Sequence, residues 1–487
     1  MRIAIIGAGI SGFSAARRLR QLLPEAELRI FDRRNRIGGV LETLHKDGLQ
    51  IEQSADNFIT TVPWGIQLCK ELGLENDLVQ TNPKVRRTYV VRNGKMHLLP
   101  DGFLMMAPTK LMPMAITPIL SPLGKLRAGL ELLMPSRKDD MDESMASFVK
   151  RRLGREVYER LVEPLVSGVY AADMEKLSVL ATLPRFREME RQYGSLIRAM
   201  QRQLKANKQA RLAEQSGARY SMFITLRSGL ATLCQTIAEH LQRDRFPAAI
   251  QLNKEITAVE KAAGGWRLAG ETFDAVIYAC PVSETAKLLR TAAAAEDACP
   301  AMLRPLTMLA DKLSGIEHEG TAIATFAFDA GQIKQEFRGM GFVVPKIENN
   351  PILAGSFSSL KYEHRAPKDK FLIRVFAGGA RNPHLADMPD SDLVPMLFRE
   401  LRKIIRIDGE PLFSAVSHWA GTMPQYHVGH RERVREIENI IDSMTGIAVA
   451  GNAFHGVGIP NCIQSGFQAA EKIAAELTRH LTKTNGN

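Results

Sequence analysis

Three glycines, Gly7, Gly9 and Gly12, stand at G-x-G-x-x-G spacing within Gly7-Ala8-Gly9-Ile10-Ser11-Gly12, and Asp32 follows one predicted strand later. Residues of this type at this spacing do one kind of chemistry, which is to seat a pyrophosphate. The first glycine permits a tight turn, the second lets the backbone approach the phosphates, and the third lets a helix pack closely on a strand. The phosphates then rest on the positive end of that helix. An acid closing the next strand accepts a hydrogen bond from a ribose hydroxyl.

Positioning those groups takes a strand, a helix and a second strand, and the chain supplies all three. Residues 2–6 (RIAII) form a short apolar run, as in a strand buried on both faces. A helix is predicted from residue 10 to 23, where Pro24 stops it, and a second strand over 27–31 ends on Asp32. A lone glycine motif is weak, but strand, glycines, helix, strand and acid in register predict dinucleotide binding. Further strands are predicted at 85–91, 248–256, 272–279, 322–328, 372–377 and 446–450. The stretch 95–210 reads as mostly helical, with helices at 142–153, 155–165 and 196–204. Residues 202–220, polar and basic with Gly and Ser, predict a mobile loop. Nucleotide-binding character returns at the C-terminal end, so one domain is expected to be discontinuous.

The bulk composition bounds the partners. The 487 residues, 45% hydrophobic and 24% charged, exceed one compact core and fit a soluble globular protein of two or three domains. A net charge of +11 favours anionic partners. No zinc-finger spacing, RNP-like aromatic motif or helix-turn-helix signal supports nucleic acid. Five scattered cysteines (Cys69, Cys234, Cys280, Cys299, Cys462) point to reduced thiols and a cytoplasmic protein. With the first strand starting at Arg2, no signal or transit peptide is expected. No run of apolar residues is long enough to span a bilayer; the nearest approach, 103–123, is broken by Lys110 and four prolines. His427 and His430 have H-x-x-H spacing without completing ligands, so no metal is expected. There is no G-x-S-x-G elbow.

Asp32 is followed by Arg33-Arg34-Asn35-Arg36-Ile37-Gly38-Gly39. An acid and then an R-x-G-G turn resembles the FAD-binding amine oxidase superfamily, in which backbone and Arg contacts secure the ribityl–phosphate region. Residues 223–230 (FITLRSGL) resemble that superfamily's F-x-T-L-x-x-G-L segment, and 273–281 (FDAVIYACP) its D-x-V-I-x-A-x-P strand. Near the C-terminus, Gly456-Val457-Gly458-Ile459-Pro460 opens a helix whose amides would face the N1/C2 edge of the flavin and stabilise negative charge there.

Three segments are more specific: 162–173 (VEPLVSGVYAAD), 423–430 (MPQYHVGH) and 456–463 (GVGIPNCI). They resemble the oxygen-dependent porphyrinogen oxidases, protoporphyrinogen IX oxidase and coproporphyrinogen III oxidase, with wording closest to the Gram-positive-type coproporphyrinogen III branch. The resemblance runs almost end to end. It implies an α/β plus α+β architecture in three parts. These are a discontinuous Rossmann-like FAD domain (1–85, 220–285 and 440–487), a mixed-sheet substrate domain (86–94 and 286–439) and a helical, membrane-associating domain (95–219).

The cofactor implied is FAD, contacted by Gly7, Ala8, Gly9, Ile10, Ser11, Gly12, Asp32, Arg33, Arg36, Gly38, Gly39 and Val40. By the same resemblance Ser54, Ala55, Asp56, Asn57, Ile256, Trp419, Val457, Gly458 and Ile459 lie near the flavin. The sequence departs from the family at Ser54-Ala55-Asp56-Asn57, commonly Gly-Pro-Asp-Ser, and at Ala172, often Gly. The chemistry implied is loss of six electrons from a porphyrinogen, two at a time, with O2 as acceptor and hydrogen peroxide as product. Such transfer needs position more than acid–base groups. The Gly168 carbonyl would polarise a pyrrole N–H, with Tyr170 beside the substrate. Arg86 and Arg87 would pair with propionates, although Thr88 is one residue of register away.

The basic balance favours coproporphyrinogen III, with four carboxylates, over protoporphyrinogen IX, with two. Other partners implied are the inner face of a membrane, met peripherally through the Met/Pro-rich 104–123, a chelatase met transiently, and a second copy in a homodimer. An amine oxidase or carotenoid desaturase, and a flavin-stabilised porphyrin carrier, are the competing readings.

Overall fold

The computed structural model describes residues 1–213, 222–262, 264–294 and 300–484. The chain opens with β1 (Arg2–Ile6), α1 (Ile10–Leu22) and β2 (Glu27–Phe31). A five-stranded parallel sheet runs in the order Ala249–Gln251, β2, β1, Ala275–Tyr278, Ile447–Val449. Its strands come from three separate stretches, so this unit is discontinuous. Along β1, Ile3 and Ile5 join the cluster under α1, while Ala4 and Ile6 face Val282, Leu289 and Leu306 on the other side. Cover on both faces is why the strand reads as an uninterrupted apolar run.

A seven-stranded mixed sheet contains β3 (Arg87–Arg92), β4 (Gly339–Val343), β5 (Ile352–Phe357) and β6 (Lys370–Gly378). β3 pairs with β4 in parallel, and β4, β5 and β6 pair antiparallel. One face packs against α3 (Asp390–Ile404) through Tyr89, Val91, Phe342 and Val375. The other carries Val90 and Val343 toward α2 (Glu163–Tyr170) and its helical neighbours. The chain ends in α4 (Ile459–Thr484), which lies against α1.

Several predicted elements differ. The strand expected over 248–256 is only Ala249–Gln251. Beyond it the amides of Asn253 and Lys254 donate to the carbonyls of Arg34 and Asp32, both at 2.8 Å, so the chain folds over the acid turn instead of extending. The 272–279 strand splits at Asp274, whose amide bonds to the carbonyl of Arg2. The helix expected over 155–165 runs on to Tyr170 through a π-helical turn at Tyr158–Val162. Pro164, which lacks an N–H, cannot complete the regular ladder there. The loop expected over 202–220 is helical through Ala213, within Leu196–Ala213. Its Lys, Arg, Gln and Ala are strong helix formers, which outweighs their polarity; residues 214–220 lie outside the described residues. Cys69, Cys234, Cys280 and Cys462 are free thiols, and Cys299 lies outside the described residues.

Candidate active site

The glycine turn is shaped by close backbone approach. Gly7 sits at φ +115°, and a Cβ there would lie 2.5 Å from the Ala279 carbonyl oxygen. A Cβ on Gly12 would overlap the Gly7 carbonyl oxygen, at 2.0 Å. Gly9 caps α1 in an extended conformation, with no side-chain cap and no acid in the first turn, so nothing of the helix's own competes for its first amides. Ala8, Ile10 and Ser11 are buried beneath.

Asp32 organises this turn as well as closing β2. Its carboxylate accepts from the amides of Ala8 (2.8 Å) and Arg34 (2.9 Å). Gly38 donates to the Ala8 carbonyl at 2.8 Å and bridges Gly9, so the R-x-G-G turn folds directly onto the first turn. Arg34, rather than Arg33 or Arg36, braces the pair: it donates to the Gly39 carbonyl at 2.8 Å and stacks over Trp419 at 5.6 Å. Arg33 points to solvent near Glu284, and Arg36 pairs with Glu42 at 2.7 Å. These two opposed turns with free helix amides fit a dinucleotide.

From there the hydrogen bonds continue inward. Ser54 donates to the Val40 carbonyl at 2.5 Å, and the Trp419 indole donates to the Gln53 carbonyl at 2.7 Å. Ala55 is exposed. Asp56 is ion-paired with Lys361 and bonded to Asn57. Ile256 packs on the cluster containing Phe31, Ala453 and Phe454.

On the far side of the site α2 crosses β4 and β5. The Gly168 Cβ position is 3.9 Å from both Val343 and Ala354, and Gly168 and Val169 are exposed. Tyr170 is partly buried, its hydroxyl donating to the Thr182 carbonyl at 3.4 Å, and burial pushes its ionisation up to about 12 despite Arg185. Val457 packs on the same apolar cluster as Tyr170, Val343 and Ala354. A cavity of about 430 Å³ flanks α2, lined by Glu163, Ser167, Ala171, Ala172, Lys346 and Arg381 among others. Arg86 and Arg87 are exposed at the start of β3. Alternation along the strand gives Arg87 the face of Tyr89 and gives Thr88 the face of Val90, toward α2.

One part of the site escaped the sequence reading. The Tyr426 hydroxyl donates to the Asn452 carbonyl and accepts from the Gly456 amide at 2.9 Å, tying both ends of the turn that leads to Val457, Gly458 and Ile459. His430 stacks on the Tyr426 ring (4.2 Å, 14°), and its Nε2 bonds the Phe454 carbonyl at 3.1 Å. Burial, outweighing that carbonyl, lowers the His430 pKa to about 4, so it is neutral. The Tyr426 carbonyl accepts from Ser178 at 2.7 Å, and Leu177 bridges His427. The segment after α2 is therefore joined to the turn before α4. His427 and His430 serve this packing, each bound to protein groups. The only advance signal was the 423–430 wording, which carried no role.

The family model for flavin containing amine oxidoreductases matches residues 10–474. A coproporphyrinogen III oxidase of Bacillus subtilis is 33% identical over 474 residues, covering 95% of this chain and 96% of that protein. One from Staphylococcus aureus is 33% identical, covering 98% and 99%. A solved structure from an Exiguobacterium species, described as a protoporphyrinogen oxidase, superposes with a TM-score of 0.83 at 29% identity, covering 98% of this chain and 99% of that one.

Proposed function

We infer the function of this chain from its family: it belongs to the flavin containing amine oxidoreductases, and FAD is its cofactor. It is a porphyrinogen oxidase that converts coproporphyrinogen III to coproporphyrin III, a step of heme biosynthesis. The observation that carries this reading is identity of 33%, nearly end to end, to two coproporphyrinogen III oxidases. Bound FAD supplies the redox chemistry, taking two electrons per round and returning them to O2 as hydrogen peroxide.

The chain's own residues bind and orient. The α1 amides hold the pyrophosphate and Asp32 the ribose. Gly458 and Ile459, at the positive end of α4, would hold the flavin and favour negative charge on it. Gly168 and Val169 form the substrate wall, where the Gly168 carbonyl holds a pyrrole N–H and Tyr170 adds apolar surface. Of the two arginines read as propionate partners, Arg86 keeps that role, while Arg87 shares the face of Tyr89, away from α2, and reaches a propionate only around the start of β3. The domain division at 1–85, 220–285 and 440–487 for FAD, 86–94 and 286–439 for substrate, and 95–219 for the helical part follows from the same reading.

The protein works in the cytoplasm and touches the inner membrane face. No helix among the described residues is long and apolar enough to cross a membrane. Met112, Ile116, Leu123 and Leu133 nevertheless stand 71–78% exposed on the helical part, beside Lys110 and Lys125. Exposed apolar side chains with lysines nearby in the chain suit a bilayer surface. Product passes to a chelatase by transient contact, and the active form is a homodimer.

A second reading, protoporphyrinogen IX as substrate, is favoured by the Exiguobacterium structure. Turnover of the two porphyrinogens side by side, followed by product fluorescence, separates them. Faster coproporphyrin formation is expected; faster protoporphyrin formation would overturn the assignment.

A further inference from the structure

Beside the seven-stranded sheet lies a buried ionic cluster that this function leaves unused. The Asp56 carboxylate faces three cations carried by the seven-stranded sheet and the loop beside it: Lys361 at 3.1 Å, and Arg365 and Arg374 at 3.5 Å each. Glu52 stands 3.9 Å from Arg365. Arg365 and Arg374 are wholly buried. Three cations thus meet two carboxylates. Arg365 and Arg374 each keep Nε and Nη1 without a hydrogen-bond partner. Surplus buried charge is costly, and replacing it with apolar groups is often neutral or stabilising, so stability does not account for it.

The cluster is wired to the glycine turns. Arg374 donates to the Ser54 carbonyl, and Ser54 donates to Val40, next to the Gly38–Gly39 turn that folds onto Gly9. Arg365 donates to the Asp56 carbonyl at 2.7 Å. A second route runs from Gln53 through Trp419 to Arg34 and the Gly39 carbonyl.

We propose that Lys361, Arg365 and Arg374 are positioning residues for bound FAD, clamping residues 52–57 against its cradle and raising the flavin's reduction potential through their surplus positive charge. A low-dielectric interior transmits that charge better than solvent does. The proposal rests on FAD as the cofactor and is independent of which porphyrinogen is used.

The test compares Arg374→Met, Asp56→Asn and Arg374→Lys in the holoprotein, reading the two-electron midpoint potential against a reference dye together with thermal unfolding. Removing a cation should lower the potential and removing the anion should raise it. Each shift should reach at least tenfold in the reduced-to-oxidised ratio, about 30 mV for a two-electron couple. Arg374→Lys should restore most of the wild-type value. Loss of thermal stability with no shift, or with shifts of the same sign, overturns the proposal in favour of a purely structural clamp. If Arg374→Met fails to fold, Lys361→Met and Lys361→Arg carry the same comparison, and an unchanged potential in Lys361→Met is equally decisive against it. Porphyrinogen turnover of the same samples keeps the premises apart: opposite shifts without turnover sink the substrate assignment alone.

Discussion

At the scale of single residues, Tyr426 and His430 show how much of the candidate site depends on packing around the turn before α4. The Tyr426 hydroxyl is buried and bonded on both sides of the turn before α4. Tyr426→Phe leaves a carbonyl and an amide unsatisfied. It should cost about 1–3 kcal/mol in thermal unfolding and release FAD measurably faster, as followed by the rise in free-flavin fluorescence.

His430 gives a pH dependence of definite sign. Folded, it stays neutral down to about pH 4, whereas its ordinary pKa is 6.5. Between those values the unfolded chain binds the extra proton, so stability falls as pH drops through this window, by roughly 3 kcal/mol at its foot. His364, also lowered to about 4 by burial and then by Arg365 and Arg227, adds to the same slope. His430→Gln should flatten part of it in denaturant melts taken from pH 7 to 4. Replacing Arg86 and Arg87 together by Ala should raise KM for coproporphyrinogen III at least about tenfold, as loss of a charge-assisted pair would, with kcat little changed. Neither bond of the Tyr426 hydroxyl was legible in sequence, because they join residues 26 and 30 positions apart through geometry that no local pattern encodes. Asp56 was marked by resemblance as a neighbour of the flavin, yet its cations lie 305 or more positions away. Asp32 was legible because its partners sit within one βαβ unit.

Among the elements, α2 ties the helical layer to the seven-stranded sheet. Gly168 is helical, and a Cβ there meets Val343 and Ala354 at an ordinary 3.9 Å. Gly168→Ala should therefore fold normally, and gain up to about 1 kcal/mol from helix propensity. If the residue lines the substrate, kcat/KM drops while the melting temperature holds or rises; full activity would remove Gly168 from the site. The elements that sequence placed well, β1, α1, β2 and the strand at Ile447–Val449, carry strong periodicity or sharp stops such as Pro24. Those it missed were decided by competition: backbone bonds to the acid turn shortened the strand at Ala249–Gln251, and Pro164 opened a π turn where an even helix was expected.

Over the whole molecule, the seven-stranded sheet, the helical layer and the turn before α4 meet through apolar packing at Val343, Val457 and Tyr426, and the ionic cluster around Asp56 ties residues 52–57 to the seven-stranded sheet and the segment beside it. The apolar face of the helical part stands apart from that junction. Met112→Glu with Ile116→Glu should abolish sedimentation with anionic lipid vesicles while leaving turnover of detergent-dispersed substrate unchanged. The net charge of +11 agrees with anionic partners.

FAD bound to this chain would carry electrons from coproporphyrinogen III to O2. Mixing purified holoprotein with excess coproporphyrinogen III in the absence of oxygen should bleach the flavin band near about 450 nm, where oxidised flavin absorbs. Admitting air should then restore the band and release three hydrogen peroxide molecules for each coproporphyrin III formed. A flavin band that stays unbleached, or porphyrin that appears without peroxide, would contradict the account.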